Sequence, residues 1–452
     1  MKIFGTDGVR GVFGKFPLDV KMIRAIAVSA AKVLKKKTSS NLVIIGRDTR
    51  QSGPEIAEIL SSEFSSRGIE VWDVGVIPTP GVSYLVSRYP VNAGIVVSAS
   101  HNPFTDNGIK FFSHSGTKLS DKIEAEIEKN LFKTSFPTAA NSGLLKKAKI
   151  INKCDLAGEY SKFLESSVVS PRGLSDLKIV LDCANGATSY IAPEVFRNLG
   201  ADIVCVNNRP NGKNINCKCG SLHPEKLIAD VKKNRADLGI AFDGDGDRVV
   251  FVDDKGNVRD GDYIISIAAY CLKKKKLLRN NVVAATVMAN LGFFKAMKKC
   301  KIDVIKTSVG DRYVFEAMKQ NDAVLGGEQS GHIIFREYLP TGDGMLSALK
   351  ITEMLLEEGK TLFNMSSMME KYPQVLINKK VSSKIPLEKL PDTQNAVLSA
   401  EKKLKGDGRV LVRYSGTENL IRVMIEGKDK GIINKLASGI SKVAVNEIEV
   451  LS

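Results

Sequence analysis

Four short stretches of this chain concentrate residues able to do chemistry. DGDGDR (243–248) places carboxylates at Asp243, Asp245 and Asp247, at i, i+2 and i+4, with glycines between them. In a bent loop their oxygens can converge on one point, and three like charges held together there are unfavourable without a cation. Oxygen donors at that density suit a hard ion such as Mg²⁺, which takes a few carboxylates plus a phosphate oxygen. The stretch begins like an EF-hand loop, but Arg248 stands where that loop needs glycine. Its flanks, LGIAF and VVFVDD, read as strands rather than helices. The plainer reading, an exposed acidic hairpin turn, fits two glycines and three aspartates less well.

SASHNP (98–103) follows the apolar run AGIVV and sets Ser100 beside His101. An acyl-transfer serine would occupy a G-x-S-x-G elbow with a carboxylate–histidine relay. No glycine flanks Ser100, and a histidine adjacent in sequence is a poor base for its own neighbour. The position just past a strand's carboxyl end is nevertheless where α/β sheets bind ligands. GGEQSGH (326–332), also just past an apolar run, mixes Glu328, Ser330 and His332 among glycines. That set suits hydrogen bonding to a polyhydroxylated ligand. RYSGTENLIR (413–422) brings Arg413, Ser415, Gly416, Thr417 and Arg422 into a strand–turn–strand pattern. Its hydroxyls, N–H groups and guanidinium make a phosphate cradle. Taken singly, each of these three loops is also readable as a polar turn. GTDGVRG (5–11) offers Arg10 as a phosphate contact or a flexible N-terminal turn. No Walker A sequence and no convincing G-x-G-x-x-G is present, so nucleotide binding is not indicated. Cys217 and Cys219 lack a second pair at zinc-ligand spacing.

The elements that must position these loops are short β-branched runs alternating with helix-like segments. LVIIGRD (42–48), EVWDVG (70–75) and AGIVVSA (93–99) read as strands, with an amphipathic helix over 54–68. The pattern returns at 177–187, 201–208, 238–242 and 249–254, and again at 281–289, 302–308 and 323–327. It predicts parallel sheets covered on both faces. Strands at 374–381, 408–416 and 419–427 with a helix over 430–448 predict a smaller α+β unit at the C-terminal end. The expected fold class is α/β, with three similar α/β domains (1–153, 154–254, 255–368), their sheets mixed and mainly parallel, plus a C-terminal α+β domain (369–452). No letter-level repeat links the three.

Composition narrows the function. The formal charge of +16 is dispersed in short runs such as KKK (35–37) and KKKK (273–276), with one Trp in 452 residues. Without basic–aromatic interleaving this is lysine-rich solvated surface rather than a nucleic-acid footprint. A positive field also draws in small anionic substrates. No apolar run approaches the ~18 residues of a membrane span, and MKIFGTDGVRG lacks a signal-peptide h-region. Seven cysteines, an odd number, do not suggest a disulfide framework. A reduced, cytoplasmic protein is expected.

Taken together, the loops resemble those of the α-D-phosphohexomutases. GTDGVRG, SASHNPFTDNGIKFF, DGDGDR, VGDRYV (309–314), GGEQSGH and RYSGTENLIRVM, spread from residue 5 to residue 424, are most similar to the branch acting on glucosamine phosphates. The resemblance implies three topologically similar α/β domains and a smaller fourth one around a central cleft. It implies that Ser100 is a phosphoserine, and that Asp243, Asp245, Asp247 and the Ser100 phosphate hold Mg²⁺. Glu328 and Ser330 would grip sugar hydroxyls. Arg413, Ser415, Gly416, Thr417 and Arg422 would bind the non-reacting phosphate. Arg10, Lys110, Arg248 and His332 would lie near the transferring phosphoryl group or serve proton transfer. The implied reaction interconverts glucosamine 6-phosphate and glucosamine 1-phosphate through glucosamine 1,6-bisphosphate, feeding UDP-N-acetylglucosamine and cell-wall synthesis. Glucose or mannose phosphates are the alternative substrates, and nucleic-acid binding is the remote alternative. The implied partner is a small phosphosugar, with no nucleic acid and no membrane, and a homodimer left open. Lys110 and His332 are the base candidates. Lys110 is preferred because it shares a segment with Ser100, though a lysine titrating near ~10.4 would need its pKa lowered by burial or cationic neighbours. Asn419 departs from the family, which usually carries Pro there; the change removes no donor.

Overall fold

The apolar runs become strands, and those at Ala93–Val97, Leu238–Phe242 and Val282–Thr286, buried along their whole length, take central places in their sheets. The computed structural model describes residues 3–5, 7–35, 40–131, 148–415 and 418–452. The first sheet contains β1 (Val9–Val12), β2 (Leu42–Arg47), β3 (Glu70–Val76), β4 (Ala93–Val97), β5 (Asp106–Ser113) and β6 (Ile150–Asn152), in the order β1-β5-β4-β2-β3-β6. β2 is parallel to β3 and β4, and β3 to β6, while β5 is antiparallel to β4 and β1. One face carries Val43, Ile45, Ile95 and Val97 into a cluster with Ile26, Leu60, Phe64 and Ile127 of the helices Val20–Leu34, Gly53–Ser65 and Asp121–Leu131. The opposite face receives the helix Thr79–Arg88. A Cβ on Gly94 would stand 2.6 Å from Val86 and 2.9 Å from Val82, so the bare backbone lets that helix close on β4.

The second sheet contains β7 (Lys178–Asp182), β8 (Asp202–Val206), β9 (Leu238–Phe242), β10 (Val249–Asp253) and β11 (Val258–Arg259), in the order β11-β10-β9-β7-β8. The third contains β12 (Val282–Thr286), β13 (Asp303–Thr307), β14 (Leu325–Gly327) and β15 (Ile333–Phe335), in the order β13-β12-β14-β15. In both, central parallel pairs give way to an antiparallel neighbour, β10 beside β9 and β15 beside β14. These are the mixed, parallel-centred sheets that the sequence pattern predicts. β1 and β5 go beyond that pattern. Asn107 and Lys110 interrupt the apolar residues of β5, yet both are buried. The topology has one consequence for chemistry. Residues 98–105 connect β4 to β5, 243–248 connect β9 to β10, and 328–332 connect β14 to β15. The loops of Ser100, of the three aspartates and of Glu328–His332 therefore each join a parallel strand to its antiparallel neighbour.

The chain divides into two compact units, Met1–Met288 with Lys301–Ser367, and Ala289–Cys300 with Met368–Ser452. The second unit is a three-stranded antiparallel sheet of β16 (Gln374–Lys380), β17 (Gly408–Tyr414) and β18 (Leu420–Gly427), in the order β16-β18-β17. The helices Pro391–Leu404 and Lys430–Leu451 pack on it around Val423, Ile425, Ile433 and Ala437. No helix among the described residues is long and apolar enough to cross a membrane, and among the described residues no disulfide joins any of the seven cysteines. Gly94→Ala, which forces a methyl into the β4–helix contact, is expected to destabilise the protein by about 1–3 kcal/mol. A lower denaturant midpoint at unchanged m would register it.

Candidate active site

Ser100 leaves β4 in a left-handed conformation, φ 52°. Such a backbone costs a serine of order 1 kcal/mol and persists only where its surroundings dictate it. They do so here through a buried chain of hydrogen bonds. Ser100 N–H donates to Ser98 Oγ (2.9 Å), Ser98 Oγ–H to Asp48 Oδ2 (2.6 Å), and Arg50 Nε–H to Asp48 Oδ2 (2.8 Å). Arg50, with a fully buried side chain, also donates to the carbonyls of Ser100 (2.8 Å), Asn102 (2.9 Å), Asp106 (3.0 Å) and Pro103. The turn brings His101 Nδ1 to 3.2 Å from Ser100 Oγ, which donates to Asp243 Oδ2 at 2.5 Å. Burial, then Arg248 and Arg10, lower the His101 pKa to about 4, so the ring is neutral near pH 7.

Asp243, Asp245 and Asp247 are all buried, with one carboxylate oxygen from each within 4.8 Å of the others. Burial and the charges of Asp247 and Asp245 push Asp243 well above the ordinary carboxylate range. Asp245 Oδ2 accepts from Thr79 Oγ1–H (2.6 Å) and Lys110 Nζ (2.8 Å). Asp245 Oδ1 and Asp247 Oδ1 are buried with no hydrogen-bond partner among the described residues. Unused, inward, all-oxygen acceptors in a crowded acidic cluster fit a hard divalent cation.

Cationic groups crowd the same point. Lys110 Nζ, opposite Val96 in the sheet register, lies 2.8 Å from Asp245 and 2.9 Å from Asp7. Asp7 also pairs with Arg10 and Lys118, and Lys118 continues to Asp311 (2.5 Å). Burial opposes the charge on Asp7, but Lys110, Lys118 and Arg10 outweigh it and hold its pKa well below the usual value. The Nε–H groups of Arg10 and Arg248 are buried without a hydrogen-bond partner among the described residues, Arg248 Nε lying 3.8 Å from Asp247, and so can donate to an anion. His332 Nδ1 lies 3.6 Å from Asp247, and its Nε2 accepts the Gly342 N–H at 3.0 Å. A ring that accepts at Nε2 carries its proton on Nδ1, facing Asp247. Glu328 accepts the Gly310 N–H (3.1 Å), and Ser330 is exposed.

In the second unit, Arg413 and Arg422 are direct cross-strand partners on β17 and β18. Burial and the neighbouring Arg422 charge lower the Arg413 pKa. Arg422 Nη2–H donates to Ser415 Oγ (3.1 Å), and Lys384 Nζ to Ser415 O (2.7 Å). Two guanidiniums facing each other across a ladder repel, and an anion relieves the repulsion. Gly416 and Thr417 lie outside the described residues.

Comparison with known proteins agrees with this arrangement. Family models described as phosphoglucomutase/phosphomannomutase match as α/β/α domain I over residues 1–138, domain II over 158–256, domain III over 260–372 and the C-terminal domain over 376–443. The phosphoglucosamine mutase of Citrifermentans bemidjiense is 46% identical over 451 residues, covering 99% of this chain and 98% of that one. The chain belongs to the phosphoglucomutase/phosphomannomutase family, the α-D-phosphohexomutases. Solved phosphohexomutase structures share its fold. A phosphoglucomutase/phosphomannomutase family protein from Burkholderia thailandensis superposes with a TM-score of 0.80 at 22% identity, covering 98% of this chain and 97% of that one. An N-acetylphosphoglucosamine mutase from Aspergillus fumigatus, in complex with GlcNAc-6P and magnesium, gives 0.67 at 18% identity, covering 99% and 96%.

This phosphohexomutase brings Ser100, the three aspartates, Lys110 and His332 into one buried cluster, with Arg10 and Arg248 half-buried at its edge. One expectation meets opposing charges. A base role for Lys110 requires a lowered pKa, but its surroundings do the opposite. Burial disfavours its charge, yet Asp245, Asp7 and Asp247 outweigh burial and raise its pKa. Lys110 would have to lose one of these partners before it could take a proton. The sequence reading missed Asp48, Arg50, Ser98, Lys118 and Lys384. Arg50 and Asp48 directly follow β2, which ends beside β4, so strand adjacency was the one signal that could have found them.

The aspartate loop is braced from the third domain, where Gly344 N–H donates to Gly246 O (3.0 Å). Asp343 caps the helix Gly344–Glu358, accepting from Leu346 N–H (2.9 Å) and Tyr160 O–H (2.8 Å), and burial still pushes its pKa from 3.8 up to about 7. A carboxyl raised on folding favours the native state fully below its unfolded pKa, and that contribution is lost as pH rises through its folded pKa. Wild type should therefore lose about 2–3 kcal/mol relative to Asp343→Asn between pH 5 and pH 8, read from denaturation at each pH.

Proposed function

We propose that this chain is a phosphoglucosamine mutase, interconverting glucosamine 6-phosphate and glucosamine 1-phosphate through a phosphoserine at Ser100 and glucosamine 1,6-bisphosphate. The observation that carries the phosphoryl chemistry is Ser100 Oγ, 2.5 Å from Asp243 inside the buried aspartate cluster. The amino-sugar substrate is supported by 46% identity, over nearly the full length, to a relative of that name. In the first half-reaction the P–Oγ bond of phospho-Ser100 breaks as a sugar hydroxyl loses its proton and its oxygen forms a new P–O bond; in the second, the other sugar P–O bond of the bisphosphate breaks as Ser100 Oγ takes that phosphoryl group and the sugar oxygen regains a proton. Such transfers need positioning and charge neutralisation more than covalent activation. Mg²⁺ bound by Asp243, Asp245, Asp247 and the Ser100 phosphate would neutralise charge on the transferring group. Arg10 and Arg248 are proposed to direct their unpartnered N–H groups at the phosphoryl oxygens. Lys110 supplies a fixed positive charge, and gives or takes a proton only once Asp245 or Asp7 is engaged elsewhere. His332 orients Asp247. Glu328 and Ser330 bind sugar hydroxyls, and Arg413, Ser415, Gly416, Thr417 and Arg422 the phosphate that is not transferred. The domains are proposed as 1–153, 154–254, 255–368 and 369–452, in a cytoplasmic protein without nucleic-acid partners, its state as monomer or homodimer left open.

Three measurements bear on this reading. With a trace of bisphosphate and Mg²⁺, glucosamine 1-phosphate should turn over faster than glucose or mannose 1-phosphate; a tenfold preference for either neutral sugar overturns the assignment. Mg²⁺ should raise the thermal midpoint of wild type and leave Asp243→Asn/Asp245→Asn/Asp247→Asn unmoved, because a ligand stabilises only the state that binds it. Lys110→Arg preserves charge without an accessible base. It should keep turnover within about tenfold of wild type, while Lys110→Met loses about 100-fold or more, the scale of removing one electrostatic stabiliser. Equal loss in both, at unchanged thermal midpoint, would restore Lys110 as the base.

A further inference from the structure

The carbonyl oxygen of Ser100 is held from two domains at once. Arg50, from the domain that carries Ser100, donates Nη2–H to Ser100 O (2.8 Å) and Asn102 O (2.9 Å). Asn216, from the domain that carries the aspartates, donates Nδ2–H to the same two oxygens, at 2.8 and 3.0 Å. Both targets are backbone carbonyls, which only accept, so the amide nitrogen must face them. Asn216 stands at φ 57°, a left-handed conformation that asparagine tolerates, and its N–H is tied to Ala184 O at 2.9 Å. It also lies against the aspartate loop. A Cβ placed on Gly244 would meet Ser100 O at 2.6 Å and Asn216 Nδ2 at 2.7 Å. One side chain thus touches the Ser100 carbonyl and the backbone between Asp243 and Asp245. Adjacent contacts join the same two domains, with Gln51 N–H donating to Gly212 O (2.9 Å) and Thr49 Oγ1–H to Asn185 O (2.6 Å).

We propose that Asn216 is a positioning residue for phosphoryl transfer, acting through Ser100 to hold the serine oxygen in register with the aspartate loop. The inference rests on the mutase reading above. Arg50 fixes the shape of residues 100–106, but it belongs to the same domain and cannot set the separation between Ser100 and carboxylates carried on another. Asn216 spans that separation. Without it the loop keeps its shape and loses its register, and a misplacement of about 1 Å costs on the order of 100-fold in such a reaction. A phosphoserine out of register is also more open to attack by water, which breaks the P–Oγ bond and releases inorganic phosphate.

Asn216→Gly deletes the amide while keeping the left-handed backbone accessible. Asn216→Asp keeps the size but sets an acceptor against two carbonyls. Lys218→Gly, at an exposed neighbouring position of φ 52°, is the control. Hydrogen exchange of the amides in 98–103 reads the hold on the loop. Steady-state kinetics with glucosamine 1-phosphate, Mg²⁺ and a trace of 1,6-bisphosphate, with inorganic phosphate counted per sugar converted, reads the register. In Asn216→Gly we expect faster exchange at 98–103 and a kcat lowered roughly 10- to 100-fold. KM should stay within about threefold while phosphate released per turnover rises, as for a loss made in the transition state alone. Asn216→Asp should be worse and Lys218→Gly silent. Unchanged exchange at 98–103, or a kcat within about twofold of wild type, overturns the proposal, since neither fits a lost register. So does a kcat loss that tracks thermal unfolding and recovers on cooling. If wild type converts no hexose phosphate, the mutase reading fails on its own, and the exchange arm alone decides whether Asn216 holds the serine loop.

Discussion

Three carboxylates buried within 4.8 Å of one another are the constraint around which the rest of the structure is arranged. Such a cluster is unstable unless positive charge is brought to it. The chain brings Lys110 directly and Arg248 alongside, with Arg10 and Lys118 reaching it through Asp7. The same charge relations suit the metal and phosphoserine proposed for this site to being bound as a pair. A divalent cation adds two positive charges, and a phosphoserine adds about −1.5 to −2 at neutral pH. Added as a pair they leave the balance almost unchanged.

The sheets solve the delivery problem the same way three times. A buried parallel strand ends at the sheet's carboxyl edge, a polar loop follows, and the next strand returns antiparallel beside the first. Strands on both sides fix the two ends of the loop, so the serine, the aspartates and the Glu328–His332 segment are each held at both ends. In the second unit the antiparallel pair β17 and β18 sets Arg413 and Arg422 side by side.

What the sequence discloses follows from local contrast. DGDGDR is legible because glycine-spaced carboxylates between two wholly apolar runs have few structural uses. The α/β layering is legible because β4 and β9 are buried throughout and therefore apolar throughout. β5 escapes, because its polar Asn107 and Lys110 are buried against polar partners rather than exposed. Arg50 and Asn216 escape for a related reason: nothing local marks a charged or amide side chain that will be spent on backbone carbonyls 50 and 116 residues away. The protonation of Lys110 escapes because one of its carboxylate partners lies 135 residues along the chain. Resemblance can supply the position of Lys110, but only the folded neighbourhood supplies its charge.

The central claim is that Ser100 passes a phosphoryl group to a hexosamine phosphate within the aspartate cluster. Its most direct measurement is a single-turnover chase. Enzyme labelled with radioactive phosphate at Ser100 is mixed with excess unlabelled glucosamine 6-phosphate, and the label is followed on protein, sugar and inorganic phosphate. The account predicts that label leaves Ser100 at least as fast as steady-state turnover and appears on the sugar, with Ser100→Ala taking up none. Label that stays on the protein through many turnovers, or that passes to water instead of sugar, would contradict it.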